Sequence, residues 1–196
     1  LRGKRVFAMG DSQMQGMLGK GGVRRMFGRS LTSYAKHSMM TPHFSAQVRT
    51  NPKLREQIKN VDVIFIASGG GDATMRNTSP TTYKNRMRTL IAACKEVNPG
   101  AKFIVSEIFP RKDVAGKNNS RGNKLRSRYN DWIRTGDNGL FTPFQVVKHV
   151  AQAGNPLIHQ TKYTQHKLTK KGNHNHHMNK AGYRVIGRAF QREFLA

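Results

Sequence analysis

The chain has 196 residues, with 35 Lys and Arg against 10 Asp and Glu, a net charge of +25. That length suits a single domain spanning residues 1–196, and such a charge points to a polyanionic neighbour, nucleic acid or a larger assembly that contains it. The one cysteine, Cys94, excludes an internal disulfide and a cysteine-rich zinc site, and no stretch approaches the ~20 apolar residues of a membrane-spanning helix.

The first apolar run, Val6 to Met9, reads as a buried strand ending at Gly10-Asp11-Ser12. A serine at a strand's C-terminal end sits where open α/β sheets bind ligands. Gln13 to Arg29 has helical character, but Gly19, Gly21 and Gly22 interrupt it, so a loop or kink is expected. Thr32 to Met40 is ambiguous, with room for a second strand around Tyr34. Asn51 to Lys59 reads as a short helix with Pro52 in its first turn.

Val61 to Ala67 is β-branched and almost continuously apolar, as a strand covered on both faces should be. It runs into the glycine-rich turn Ser68 to Asp72. Ser79 caps a helix with Pro80 in its first turn. Tyr83, Met87, Leu90, Ile91, Cys94 and Val97 then keep helical spacing until Asn98, Pro99 and Gly100 stop it. Cys94 reads as a small core residue.

Lys102 to Ile108 is the next strand, ended by Pro110. Asn118 to Arg134 is a polar helix whose narrow apolar stripe is Leu125, Tyr129, Trp132 and Ile133. Phe144 to Val150 reads as a last strand, and Gly154 to Asn173 as a basic loop. Asn179 caps a terminal helix in which Tyr183, Ile186, Phe190 and Phe194 share a face.

Strand and helix therefore alternate about five times. That pattern gives an α/β fold, a three-layer αβα sandwich around a parallel sheet of about five strands. Right-handed crossovers put every strand's C-terminus on one edge. In a flavodoxin-like order of 2-1-3-4-5, Ser12 and the Ser68–Asp72 turn lie side by side.

A base for Ser12 should come from the same edge, and the segment Asn173 to Tyr183 offers several histidines. Gly10-Asp11-Ser12, the Gly69-to-Asp72 turn, and His177 with Asn179, Gly182 and Tyr183 together resemble the SGNH (GDSL) hydrolase family. The motifs keep the family's order and span most of the chain. The Gly-Asp-Ser-Gln form and compact size resemble phage-encoded members, and no signal peptide is visible, so a cytoplasmic or virion-associated place is the expectation.

The resemblance implies a serine esterase or acetylesterase, acting on an ester substrate such as an acylated glycan. Ser12 would be the nucleophile and His177 the general base. Asp11, Gly70, Gly71, Asp72 and His174 would support the site, with backbone N–H groups holding the oxyanion. No cofactor and no metal are implied.

Three positions depart from the family pattern. Gly71 stands where the family has an asparagine amide in the oxyanion hole, His174 where it has the acid that orients the histidine, and no glycine occurs from Tyr34 to Phe44. In the serine protease template a neutral residue in place of the acid costs ~10⁴ in rate. A plainer reading of Ser12 is a helix cap, and of Asp11 a group bonding the turn's backbone. His166, His174, His176 and His177 lack nearby acids or cysteines, so a zinc site is not expected.

Arg121, Lys124, Arg126 and Arg128 lie near Tyr129 and Trp132, and Lys167, Lys170 and Lys171 near Tyr163. These are the candidate phosphate contacts, with aromatic stacking beside them. The alternative to an esterase is thus a catalytically degenerate SGNH-fold component of a virion or other nucleic-acid-containing assembly.

Overall fold

A computed structural model describes residues 1, 3–20, 22–109, 120–152 and 180–195. Strands β1 (Val6–Gly10), β2 (Leu31–Ala35), β3 (Val63–Ala67), β4 (Lys102–Ser106) and β5 (Thr142–Phe144) form one sheet in the order β2-β1-β3-β4-β5. Every pairing is parallel, and β1 runs in register with β3 from Val6↔Val63 to Gly10↔Ala67. All strand C-termini therefore share one edge, as the flavodoxin-like order requires.

Alternation along the strands feeds two cores. Phe7, Met9, Ile64, Ile66, Phe103 and Val105 point into one layer, covered by α3 (Thr41–Thr50), α4 (Pro52–Lys59), α6 (Pro80–Val97) and α7 (Ser120–Arg134). Val6, Ala8, Val63, Phe65, Ala67 and Ile104 point into the other, beneath α1 (Ser12–Gly19), α2 (Val23–Phe27), α8 (Val146–Gln152) and the C-terminal helix α9 (Lys180–Phe194). A short helix, α5 (Gly70–Thr74), follows β3. No helix among the described residues is long and apolar enough to cross a membrane.

Local chemistry explains most boundaries. Asn51 caps α4 through Leu54 N, and Ser79 caps α6 through Thr82 N. The glycines after Leu18 split the first basic helix into α1 and α2, as expected. Cys94 is fully buried, and burial pushes its thiol up to about 12.

One helix was missed and two expectations are corrected. The ambiguous stretch holds β2, but α3 follows it at once, a helix the sequence reading passed over. Phe144 ends a strand instead of beginning one, and Val146–Gln152 is helical. The cause is Glu107 at the end of β4: its carboxylate accepts the Val147 N–H at 2.7 Å and fixes a helix start there, despite the β-branched pair. Finally, Tyr129, Trp132 and Ile133 of α7 are buried in the core, with Tyr129 stacked on Tyr83 at 4.1 Å between centroids. These aromatics are not available to stack on bases.

Candidate active site

The C-terminal ends of β1 and β3 almost touch. Asp11 N–H donates to Ala67 O at 3.0 Å, and a Cβ on Gly10 would stand 2.1 Å from that same oxygen. Glycine is required there by the close approach alone. Lys36 N–H donates to Gly10 O at 3.0 Å, which draws the exit of β2 onto the same rim.

Asp11 is buried, and its two carboxylate oxygens hold two segments together. Oδ1 accepts Gln13 N–H at 2.8 Å, making Asp11 the cap of α1. Oδ2 accepts Gly70 N–H at 3.3 Å. The plainer reading of Asp11 as a backbone-bonding turn residue holds, and the cap assigned to Ser12 belongs to Asp11 instead. Ser12 is the first residue of α1 and half-buried. Its hydroxyl makes no hydrogen bond to another described residue.

The turn after β3 is fixed from below. Gly69 has φ +128°, a conformation that L side chains rarely adopt. A Cβ there would also stand 2.6 Å from Ile108 Cδ1 and 2.7 Å from the Tyr83 ring. The Tyr83 hydroxyl donates to Ser68 O at 2.9 Å. Burial, and then the Asp72 charge, hold the Tyr83 phenol well above its ordinary value.

Asp72 is fully buried. Its Oδ2 accepts both the backbone N–H and the hydroxyl of Thr41 at 3.0 Å, and Oδ1 accepts Arg86 Nη1 at 2.8 Å. The Thr41 hydroxyl is 3.2 Å from Ser68 Oγ, and Arg86 also donates to Thr78 Oγ1 at 3.0 Å. With its oxygens turned into this network, Asp72 holds the start of α3 against the turn after β3.

Gly71 lies one step nearer the surface. A Cβ built on it would stand 3.2 Å from Met40 Cγ and 3.8 Å from Met75 Sδ. The Met40 methylene and the Met75 sulfur thus border Gly71.

Helix α9 opens on this same rim. Tyr183 lies against Gly16 of α1, so closely that a Cβ there would meet the phenol ring at 1.9 Å. Its ring also lies 5.9 Å from that of Phe109 beyond β4, and burial first and the Asp11 charge second raise its phenol. His174 and His177 lie outside the described residues, as do Lys167, Lys170, Lys171 and Asn179. Lys180, where α9 begins, follows His177 by three positions.

Sequence reasoning missed Thr41, Tyr183 as a packing partner of Gly16, and Glu107. Thr41-Pro42 is a helix-start signal that marks the first of these. Glu107 is buried at the end of β4, 2.6 Å from Arg134 Nε. Burial holds its carboxyl above the usual range, against the opposing pulls of Val147 N–H and Arg134.

Arg121, Lys124 and Arg128 are exposed on α7. Arg126 is not: it is 2% exposed and bonds Asn123 Oδ1, which withdraws it from the expected phosphate-contacting set. A stripe the sequence reading overlooked is Arg184, Arg188 and Arg192, exposed at four-residue spacing along α9. Among the described residues no group of three His, Cys, Asp or Glu side chains is placed to hold a metal. A cavity of about 270 Å³, lined by Leu1, Lys4, Met26, Phe27, Gln191 and Leu195, lies at the opposite edge of the sheet from Ser12.

Comparison with known proteins gives three results. The GDSL-like Lipase/Acylhydrolase family matches residues 8–185. A search of curated proteins finds no match in sequence. Among solved structures, a protein from Parabacteroides merdae described as a GDSL-like lipase superposes with a TM-score of 0.72 at 15% identity, covering 95% of this chain and 93% of its own. The lipase Lip_vut3 from a goat rumen metagenome gives 0.67 at 15% identity, with 96% of each chain covered. A catalytic mutant of Axe2, an acetylxylan esterase from Geobacillus stearothermophilus, gives 0.62 at 13% identity, covering 97% of this chain and 94% of its own. These likenesses show the fold.

Proposed function

Because the chain belongs to the GDSL-like lipase/acylhydrolase family, we propose that it hydrolyses esters through a Ser12–His177 dyad. The observation that carries this reading is the meeting of three rim segments. The β1–α1 turn with Ser12, the Gly69–Asp72 turn and the opening of α9 converge through the Asp11–Gly70 bond and the Tyr183–Gly16 contact.

In this mechanism His177 takes the Ser12 proton as Oγ adds to the ester carbonyl. The C–O bond to the alcohol then breaks, and His177 returns the proton to the departing oxygen. Water, deprotonated by the same ring, releases the acid and restores Ser12. The Ser12 backbone N–H, at the first position of α1, faces the developing oxyanion with the helix dipole behind it. The Gly70 N–H is already engaged by Asp11. A neutral histidine at position 174, in place of the family's acid, would supply no charge to stabilise the imidazolium. The substrate class is an acylated alcohol, an acyl group on a glycan hydroxyl being one such ester.

A fluorophosphonate probe tests the reading. Labelling is expected on the native chain and absent from Ser12→Ala. His177→Ala should lower the labelling rate by ~10²–10⁴, the usual worth of a general base. Labelling that persists in Ser12→Ala would remove the assignment.

The charge favours a second reading. The exposed stripe of Arg184, Arg188 and Arg192 on α9 presents cations to a polyanion, and Arg121, Lys124 and Arg128 of α7 do so on the other face of the sheet. In this reading the chain is a non-catalytic component of a nucleic-acid-containing assembly such as a virion. Affinity for mixed-sequence single-stranded DNA should then fall steeply with salt, and Arg184→Glu with Arg188→Glu should flatten that slope. A salt-independent affinity would remove this reading.

A further inference from the structure

Within the esterase reading just given, on which this inference rests, Gly71 has a consequence for substrate. It lacks the amide that would make this side of the site polar. Met40, itself buried, and the exposed Met75 stand beside this position instead, at 3.2 and 3.8 Å from a Cβ built on Gly71. Met39 carries its carbonyl to 3.7 Å of the same point, and its side chain packs on the core below.

Met75 is 61% exposed, the large hydrophobic side chain most open to water among the described residues. It sits one turn along α5 from Gly71, and Gly70 is bonded to the residue preceding Ser12. The two methionines therefore border the turn that is bonded to Asp11, the residue preceding the nucleophile. The Asp72–Thr41 bonds fix the backbone next to Met40, while both methionine side chains can adjust by rotation. Thioethers are polarizable and adaptable, and they suit flexible hydrocarbon better than a compact polar group.

We propose that Met40 and Met75, flanking Gly71 beside Ser12, seat the acyl chain of the ester, and that this seat selects an aliphatic acyl group longer than acetyl. Each added methylene then buries apolar surface against the thioethers in the transition state, as the carbonyl carbon is held at Ser12.

The test compares p-nitrophenyl acetate, butyrate and octanoate on the full chain. The octanoate-to-acetate ratio of kcat/KM should exceed about tenfold, the least that one well-buried methylene supplies. Met75→Ser should lower that ratio about five- to tenfold, and Met75→Leu should keep it. Met75 is exposed, so neither variant threatens the fold. In parallel, the methyl resonances of Met40 and Met75 in methyl-labelled protein should shift on titration with octanoate and not with acetate.

Ser12-dependent turnover that favours acetate, or a ratio unmoved by Met75→Ser, would overturn the acyl seat and leave the esterase standing. No Ser12-dependent turnover or probe labelling would instead fell the esterase reading. Methionine methyls unmoved by octanoate would overturn the seat whatever the turnover.

Discussion

The buried carboxylate of Asp72 accepts the backbone N–H of Thr41 at 3.0 Å, across 31 positions of sequence. That bond ties the first turn of α3 to the turn after β3. The acidic residue that closes the family's third motif is thus an anchor in this chain, committed to Thr41 and Arg86. Asp72→Asn would put an amide NH₂ against one of those donors. A loss of about 2–4 kcal/mol is expected, the range for breaking a buried charged partner. Urea unfolding measures it, and a loss below about 0.5 kcal/mol, the range of ordinary surface changes, would show that the network is dispensable.

The packing of α9 on α1 depends on one missing side chain. The Tyr183 ring occupies the space in which a Cβ on Gly16 would stand, 1.9 Å from Cζ. Gly16→Ala should therefore displace α9 and destabilise the chain by about 1–3 kcal/mol or more, as overpacking does. Tyr183→Phe should behave oppositely. Its hydroxyl is buried with no hydrogen-bond partner among the described residues, so removing it should be neutral or stabilising. Thermal unfolding of the two variants separates these outcomes. A Tyr183→Phe variant markedly less stable than the native chain would contradict the unpartnered hydroxyl.

How much of this was legible in sequence follows from where the physics is local. β1 and β3 are covered on both faces, so their apolar runs announce themselves, and the switch-point rule then puts Ser12 beside Gly70 without coordinates. Capping at Ser79-Pro80 was equally local. The miss at α3 was also local: Thr41-Pro42 signals a helix start, yet the preceding His37, Ser38, Met39 and Met40 give no periodicity. Val146 and Val147 looked like strand because the carboxylate that starts a helix there belongs to Glu107, 40 positions away. Tyr129 and Trp132 looked like a stacking platform among arginines because nothing in α7 says that Tyr83 will cover them. Asp11 divides in the same way: bonding to the turn's backbone was readable, but the cap fell to Ser12 in the sequence reading, and the Gly70 partner comes only from the fold.

Gly71 invites a gain-of-function test of the oxyanion assignment. Its φ is not in the left-handed region, so asparagine can adopt the backbone there. Met40 Cγ, at 3.2 Å from the new Cβ, must yield by a few tenths of an ångström. A methionine side chain does so readily. Gly71→Asn should restore a side-chain donor and raise kcat on p-nitrophenyl acetate at least ~10-fold, below the ~10²–10³ that a native donor supplies. A folded variant with unchanged or lower kcat would mean that position 71 does not face the developing charge.

Glu107 sets a pH dependence whose sign can be worked out. Burial raises its carboxyl above the ordinary 4.5, and this outweighs the Val147 N–H and the Arg134 guanidinium, which pull it down. A carboxyl raised on folding contributes stability that is fully present below its unfolded value and lost as pH climbs through the folded one. The native chain should therefore lose stability between the ordinary value and that raised value. Glu107→Gln should not, since its side-chain carbonyl still accepts the Val147 N–H and it carries no charge to bury. Arg134 is exposed enough to turn towards Asp131, its other partner at 2.9 Å. Urea midpoints of both chains at pH 4 and pH 7 should show the variant gaining on the native chain as pH rises. A native chain that instead gains on the variant would mean that the Glu107–Arg134 pair, at 2.6 Å, outweighs the cost of burying the charge.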